Sequence, residues 1–198
     1  FEDDLEKMNE FLNVEINYPP TNGLEELRKN IAAQYPGASD KDVLVTSGAA
    51  QANFTAILTL LDRGDEILVM EPNYMQIWGA GKNLELKVKT FGLKQELDWG
   101  FDIDKFNRSV TKETKLIAVC NPNNPTGHIL TSEERKAVVD AASRVGAWIL
   151  SDEVYAGAEH MTDEVTPSMR GEYENVFAIG SMSKAYAFPG LRIGWVVS

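Results

Sequence analysis

The sequence predicts an α/β domain, three layers of helix, sheet and helix around one mostly parallel mixed sheet. Short apolar runs of strand length alternate with longer stretches of helical period, which is the pattern of such a sheet. Small and polar motifs follow the apolar runs, at the strand ends where open α/β sheets receive ligands. No internal repeat, low-complexity tract or linker divides the 198 residues, a length that supports one substantial core.

The elements follow in order. Residues 1–12 form an acidic, amphipathic helical pattern. Tyr18-Pro19-Pro20-Thr21-Asn22-Gly23 is a rigid turn, since two prolines fix φ and the glycine permits a sharp reversal. A helix is expected over residues 24–34, with Leu24, Leu27 and Ile31 on one face and Pro36-Gly37 ending it. Residues 43–45 are a short strand, and Thr46-Ser47-Gly48-Ala49-Ala50 opens a helix that runs to Leu61. Residues 66–70 form a strand that stops at Glu71-Pro72-Asn73-Tyr74. A strand over 84–91 and a short helix over 102–110 come next. The central strand, 116–120, runs into Asn121-Pro122-Asn123-Asn124-Pro125-Thr126-Gly127. Thr131-Ser132-Glu133-Glu134 is a capping box for a helix that continues to Arg144 and stops at Gly146. Residues 147–150 are a strand with Ser151-Asp152-Glu153-Val154-Tyr155 at its carboxyl end, and apolar runs at 176–179 and 193–197 flank the last motif.

Charge and cysteine usage narrow the function classes. With 30 acidic against 19 basic residues the chain carries a net −11, which opposes nucleic-acid or anionic-membrane binding. Apolar content is 43%, ordinary for a globular protein. Cys120 is the single cysteine, so no disulfide forms within the chain; this fits a reducing compartment, and a cytoplasmic location is expected. Its place in an apolar run marks it as a buried strand residue rather than a nucleophile. No signal-peptide pattern opens the sequence, and no apolar run reaches bilayer length. The first residue is Phe1 and the last lies in a strand-like run, so the sequence reads as part of a longer protein.

The chemistry centres on Ser181-Met182-Ser183-Lys184, with Arg192 eight residues after the lysine. Gly180, Ala185, Ala187 and Gly190 let backbone approach a ligand closely. A lysine held between strand ends, beside hydroxyls and a guanidinium, suits an amine that bonds an aldehyde whose phosphate is gripped alongside. The strand–turn–helix unit at Gly48, Ala49 and Ala50 aims free N–H groups at an anion and has no bulk to block one. Tyr74, just past a strand end, is placed to lie over a planar ring. Two Asn-Pro pairs stiffen the loop that presents Asn124. Asp152 is either solvated or paired with a cation in the cleft. Each feature alone has an ordinary structural reading: a surface lysine, a tightly packed turn, a rim aromatic, a solvated acid.

In this order the motifs resemble the class I/II aminotransferases, fold-type I enzymes that use pyridoxal 5'-phosphate (PLP). The resemblance runs from Tyr18 to Trp195 and is carried most specifically by Asn-Asn-Pro-Thr-Gly and by Ser-x-Ser-Lys with its arginine. It implies that the fold is the large, cofactor-binding domain of an aspartate aminotransferase-like enzyme. Lys184 would form an imine with PLP, Asp152 would pair with the pyridine nitrogen, and Tyr155 and Asn124 would reach the ring oxygen. Tyr74 would stack on the ring, while Gly48, Ala49, Ala50, Ser181, Ser183 and Arg192 surround the phosphate. Lys184, Asp152 and Tyr155 are the implied catalytic residues. Tyr18 matches a tyrosine that reaches the cofactor phosphate of a neighbouring subunit, which implies a homodimer with shared sites. Residues 1–23 then form an amino-terminal segment with a dimer-contact turn, and 24–198 the PLP-binding domain, without the carboxyl-terminal small domain of the family.

The residue types agree with that chemistry. A buried carboxylate keeps a pyridine nitrogen protonated, and a desolvated lysine loses its proton more readily. The activity expected is transfer of an amino group from an α-amino acid to a 2-oxo acid. The same motifs serve PLP-dependent lyases, cyclases and oxidases, or a cofactor-binding fragment without turnover. A nucleotide-binding domain has little support, since neither Gly-x-Gly-x-x-Gly nor a Walker loop occurs.

Overall fold

The computed structural model describes residues 2–15, 17–160 and 162–198. Its strands are β1 (Val43–Thr46), β2 (Glu66–Glu71), β3 (Lys87–Lys94), β4 (Gly100–Phe101), β5 (Thr114–Cys120), β6 (Trp148–Asp152), β7 (Val176–Ser181) and β8 (Gly194–Val197). They form one sheet in the order β1-β8-β7-β6-β5-β2-β3-β4. The five strands β7, β6, β5, β2 and β3 are mutually parallel. Strand β8 is antiparallel to both its neighbours, β1 and β7, and β4 is antiparallel to β3. The sheet is therefore mixed and mostly parallel, as the alternation of runs implied.

The central strands explain their own position. Parallel strands covered on both faces read as continuous apolar runs, and Ile67 to Met70 on β2 and Leu116 to Cys120 on β5 are buried on both sides. The helices α2 (Glu25–Ala32), α3 (Ala49–Leu60), α4 (Gln76–Asn83), α5 (Ile103–Ser109) and α6 (Ser132–Val145) supply the outer layers, while α1 (Glu2–Leu12) is exposed from Asp4 onward. On one face Ala52, Ala56 and Ile57 of α3 and Ile77 of α4 pack with Ile67, Leu116, Leu150 and Ile179. On the other, Phe106 of α5 and Val138 and Ala141 of α6 pack with Leu68, Ile117 and Ile149. Phe91, Phe101 and Phe106 form a cluster with ring centroids 4.8–5.2 Å apart. Ile31 and Ala32 of α2 close a third cluster with Val43, Trp195 and Val197.

The capping box stands as expected: Thr131 Oγ1 accepts from Glu134 N, the Glu134 carboxylate accepts from Thr131 N, and Gly146 ends α6 at φ 69°. Helix α1 occupies Glu2–Leu12, and the Phe1 end of the expected helix lies outside the described residues. Helix α2 is shorter than residues 24–34, stopping at Ala32.

Three differences from the sequence reading have physical causes. The strand expected at 84–91 lies at Lys87–Lys94, because Gln76–Asn83 forms a helix that the sequence hides. Gly79 and Gly81 lower its helix propensity. Gly81 is there for proximity, since a Cβ at that position would sit 2.9 Å from Val88 Cγ2 on β3. Strand β4 is only two residues long, too short for periodicity to register. Strands β6 and β7 run further than the apolar runs, to Asp152 and Ser181, so polar site residues hold strand positions. Among the described residues no helix is long and apolar enough to cross a membrane.

Candidate active site

A cleft of about 280 Å³ opens at the carboxyl ends of β5, β6 and β7, facing the start of α3. Ten of the residues singled out in the sequence line it: Ala49, Ala50, Tyr74, Asn124, Asp152, Tyr155, Ser181, Ser183, Lys184 and Arg192. Gly48 adjoins it as the residue that precedes α3. Tyr18 does not line the cleft and is 98% exposed.

The turn after β1 is shaped by what glycine lacks. Gly48 takes φ 84°, and a Cβ there would lie 2.5 Å from Arg192 Nη2. The guanidinium thus rests directly over the turn. Thr46 Oγ1 donates to Gly48 O at 3.0 Å, and Ser47 N donates to Gln51 Oε1 at 2.6 Å. The first-turn N–H groups of α3 have no carbonyl within the helix to donate to, so they are free to bind an anion beside Arg192. Strand β8 presses on the same turn from behind. A Cβ on Gly194 would meet the Gly48 carbonyl carbon at 2.4 Å and Ala49 N at 2.5 Å.

The lysine loop hangs between β7 and β8. Met182 N donates to Ile193 O at 3.0 Å and Phe188 N to Met182 O at 2.9 Å, closing the loop. Ser181 Oγ, at the buried end of β7, accepts from Ser183 N at 2.9 Å. Arg192 adopts the left-handed conformation at φ 53°, and its Nη1 donates to Pro189 O at 2.7 Å. Lys184 is exposed on the loop, with Nζ 5.8 Å from the centre of the Tyr155 ring.

Asp152 lies on the floor. It is 7% exposed, and Asn53 Nδ2 donates to its Oδ2 at 2.9 Å. Burial pushes its carboxyl above the usual range, and the Asn53 and Val154 donors oppose that push. No lysine, arginine or histidine pairs with it among the described residues. The Asn-Pro loop is pinned at both ends. Asn121 N donates to Asp152 O at 2.9 Å, Leu130 N to Asn121 Oδ1 at 2.9 Å, and Asn123 Nδ2 to Pro72 O at 3.1 Å. Thr126 Oγ1 donates to Asn123 Oδ1 at 2.8 Å, which leaves Asn124 facing the cleft.

Sequence reasoning missed Asn53, Gln76, Cys120, Val154 and Pro189, which complete the lining. Asn53 left one signal: a polar side chain on the same helix face as Ala52, Ala56 and Ile57. Cys120 behaves as expected, a buried strand thiol whose burial raises its pKa.

These residues fit a phosphorylated heteroaromatic aldehyde. Any larger side chain at Gly48 would push the Arg192 guanidinium away, so the glycine keeps that cation seated over the turn. A buried carboxylate without a protein cation is costly, and a protonated ring nitrogen removes that cost. Asn53 Oδ1 is buried with no partner among the described residues, so the floor has unspent hydrogen-bonding capacity.

The fold and the cleft define a PLP-binding α/β domain of the aminotransferase type. The profile of the family "Aminotransferase class I and II" matches residues 12–198, and the chain belongs to that family. A probable aspartate aminotransferase of Methanocaldococcus jannaschii is 35% identical over 185 residues, covering 91% of this chain and 48% of that protein. The crystal structure of a PLP-dependent aminotransferase from Streptococcus suis superimposes with a TM-score of 0.90 at 33% identity, covering all of this chain and 51% of that one. An alanine aminotransferase from Pyrococcus furiosus gives a TM-score of 0.87 at 31% identity, covering 100% of this chain and 52% of that one. The chain spans about half the length of the curated relatives it matches.

Proposed function

We propose that the protein to which this chain belongs is a PLP-dependent aminotransferase, moving an amino group from an α-amino acid to a 2-oxo acid. The observation that carries this reading is the meeting of Lys184, Asp152, Tyr155 and Asn124 around one cleft, although they lie on four separate stretches of sequence. The relatives above are all described as aminotransferases, which supports transfer over lyase, cyclase or oxidase chemistry.

Bound PLP supplies an electron sink for the pair left when an α-bond of the amino acid breaks. Among the described residues, Lys184 offers the one primary amine that lines the cleft. Its Nζ would hold the cofactor through the aldehyde, with loss of water, and as a free amine would serve as the base for the substrate Cα proton. Asp152 would hold a proton at the ring nitrogen, in a setting where burial strengthens the charge pairing. Tyr155 and Asn124 would orient the ring through its oxygen, and Tyr74 would cover one face. Ala49, Ala50, Ser181, Ser183 and Arg192 would hold the phosphate, with Gly48 leaving room for the Arg192 guanidinium over the turn. A second opening of about 880 Å³, lined by Thr126, His160, Lys184 and the Asn-Pro loop, adjoins the cleft and gives the amino acid a way in.

Residues 24–198 are read as the PLP-binding domain and 1–23 as the segment that meets a second subunit. The near-complete exposure of Tyr18 supports a residue that serves the partner's site in a homodimer. The net charge supports small-molecule substrates rather than nucleic acid or membrane, and the single buried thiol supports a cytoplasmic setting.

Borohydride trapping of the full-length protein with PLP, then peptide mapping, tests the site. The pyridoxyl group is expected on Lys184, and an adduct on any other residue overturns the assignment. Lys184→Ala is expected to abolish trapping and the bound cofactor's visible absorbance. An amino-donor screen tests the reaction: loss of donor should require a 2-oxo acid, and ammonia release without one would refute transfer.

A further inference from the structure

Asn53 is the one side chain that hydrogen-bonds the Asp152 carboxylate among the described residues, and its burial is out of character for its helix. It is 1% exposed on α3, whereas its apolar neighbour Phe54 is 42% exposed. Nδ2 donates to Asp152 Oδ2 at 2.9 Å, a good geometry for a bond to a charged acceptor. The backbone contributes less: Val154 N reaches Oδ1 at only 3.4 Å. Gln76 on α4 stands behind, with Oε1 3.5 Å from Asn53 Nδ2 and its own Nε2 donating to Ala50 O. Asn53 also sits on the first turns of the helix whose start forms the anion turn. One amide therefore ties the carboxylate floor of the cleft to its phosphate end.

We propose that Asn53 is a positioning residue for Asp152, holding its carboxylate in the orientation that a protonated ring nitrogen requires. The inference rests on the PLP reading above, because the orientation matters only if a cation is to be met. An amide hydrogen donor on one carboxylate oxygen fixes the plane of the group and leaves its other lone pairs for the cleft. It also favours the ionised acid over the neutral one, opposing the effect of burial. The other titratable groups nearby are Glu153, the next residue, Cys120 on β5, and Tyr155, Lys184 and Arg192 across the cleft. None hydrogen-bonds Asp152 among the described residues.

The test has two arms on the full-length protein. In the first, cofactor-free protein is unfolded in urea at several values between about pH 4 and about pH 8. Asn53→Leu removes the donor at similar size. Its penalty should grow as pH rises and Asp152 ionises, by about tenfold in the unfolding constant. The growth should vanish in an Asp152→Asn background. A penalty that is the same at every pH, or that keeps its pH dependence without Asp152, overturns the proposal. Should Asn53→Leu not fold, Asn53→Asp keeps the shape and sets a carboxyl against Asp152; its penalty should grow with pH in the same sense, and a flat one refutes the role. In the second arm PLP affinity is read from absorbance. Asn53→Leu should weaken it about tenfold near neutral pH and move the acid limb of the profile to higher pH. Equal weakening at all pH values marks a merely structural role and also overturns the proposal. If even the unmutated protein fails to bind PLP, the functional reading falls, and the first arm still decides whether Asn53 governs Asp152.

Discussion

Gly194 is the position where a single methyl group should do most harm to the site without touching a charged residue. Alanine there places Cβ 2.4 Å from the Gly48 carbonyl carbon, 2.5 Å from Ala49 N and 2.8 Å from Gly48 Cα. Non-bonded carbons rest at about 3.5–4.0 Å, so the overlap exceeds about 1 Å. All three atoms are backbone, so no side chain can swing aside. Gly194 also pairs with Thr46 on β1 and with Ser181 on β7, and relief must disturb both ladders. Overpacking costs about 1–3 kcal/mol where side chains can adjust. A clash confined to backbone belongs at the upper end, about 3 kcal/mol, which is about a hundredfold in the folding equilibrium. Urea unfolding of Gly194→Ala against the parent measures it, with PLP affinity as the second readout, because the displaced atoms belong to the anion turn. Gly79→Ala is the control: nothing lies within 4 Å of its Cβ, and removing a helix glycine should stabilise by about 0.5–1 kcal/mol. A Gly194→Ala protein within about 0.5 kcal/mol of the parent would refute the reasoning, since no scatter in overpacking costs would hide the expected loss.

Two further outcomes can be measured. Arg192→Ala should lower PLP affinity by about tenfold or more through loss of a charge-assisted contact, leaving the bound absorbance band in place; unchanged affinity would remove Arg192 from the phosphate site. Glu153 is 7% exposed and its carboxyl is pushed up to about 7 by burial, although Met169 N and Ser151 Oγ donate to it. The folded protein then keeps a proton that the unfolded chain releases near pH 4.5, so stability should fall as pH rises from about 4.5 to about 7 and level off above. Glu153→Gln removes that fall and should exceed the parent by on the order of 3 kcal/mol at the alkaline end, with no difference at the acid end. An equal difference at both ends would show that ionisation is not involved.

The legible parts of the site are those that interrupt a pattern. Lys184, Asp152 and Asn124 each lie in the polar motif that follows an apolar run, so the change from strand to polar motif marks them. The same logic found Thr131 and Gly146, whose capping chemistry is local. Asn53 escaped because α3 reads Ala-Ala-Gln-Ala-Asn-Phe-Thr-Ala-Ile-Leu-Thr-Leu, with apolar residues on all sides and no stripe to say which way the helix faces. Phe54 and Leu58 are exposed while Asn53 is buried, the reverse of what side-chain polarity alone implies. Helix α4 escaped because Gly79 and Gly81 erase its propensity, although only Gly81 serves the close approach to β3. The role proposed for Tyr18 came from resemblance alone, since its side chain is 98% exposed and does not line the cleft.

The pairing of β1 with β8, Val43 beside Val197, has a consequence for biosynthesis. A ribosome releases the glycine turn early and the strand that backs it some hundred and fifty residues later. Contacts this distant in sequence form slowly, because loop closure must be met before they contribute. Nascent chains therefore carry an unfinished cleft until that late strand slots between β1 and β7. Supply of PLP during translation should rescue few chains stalled before that point.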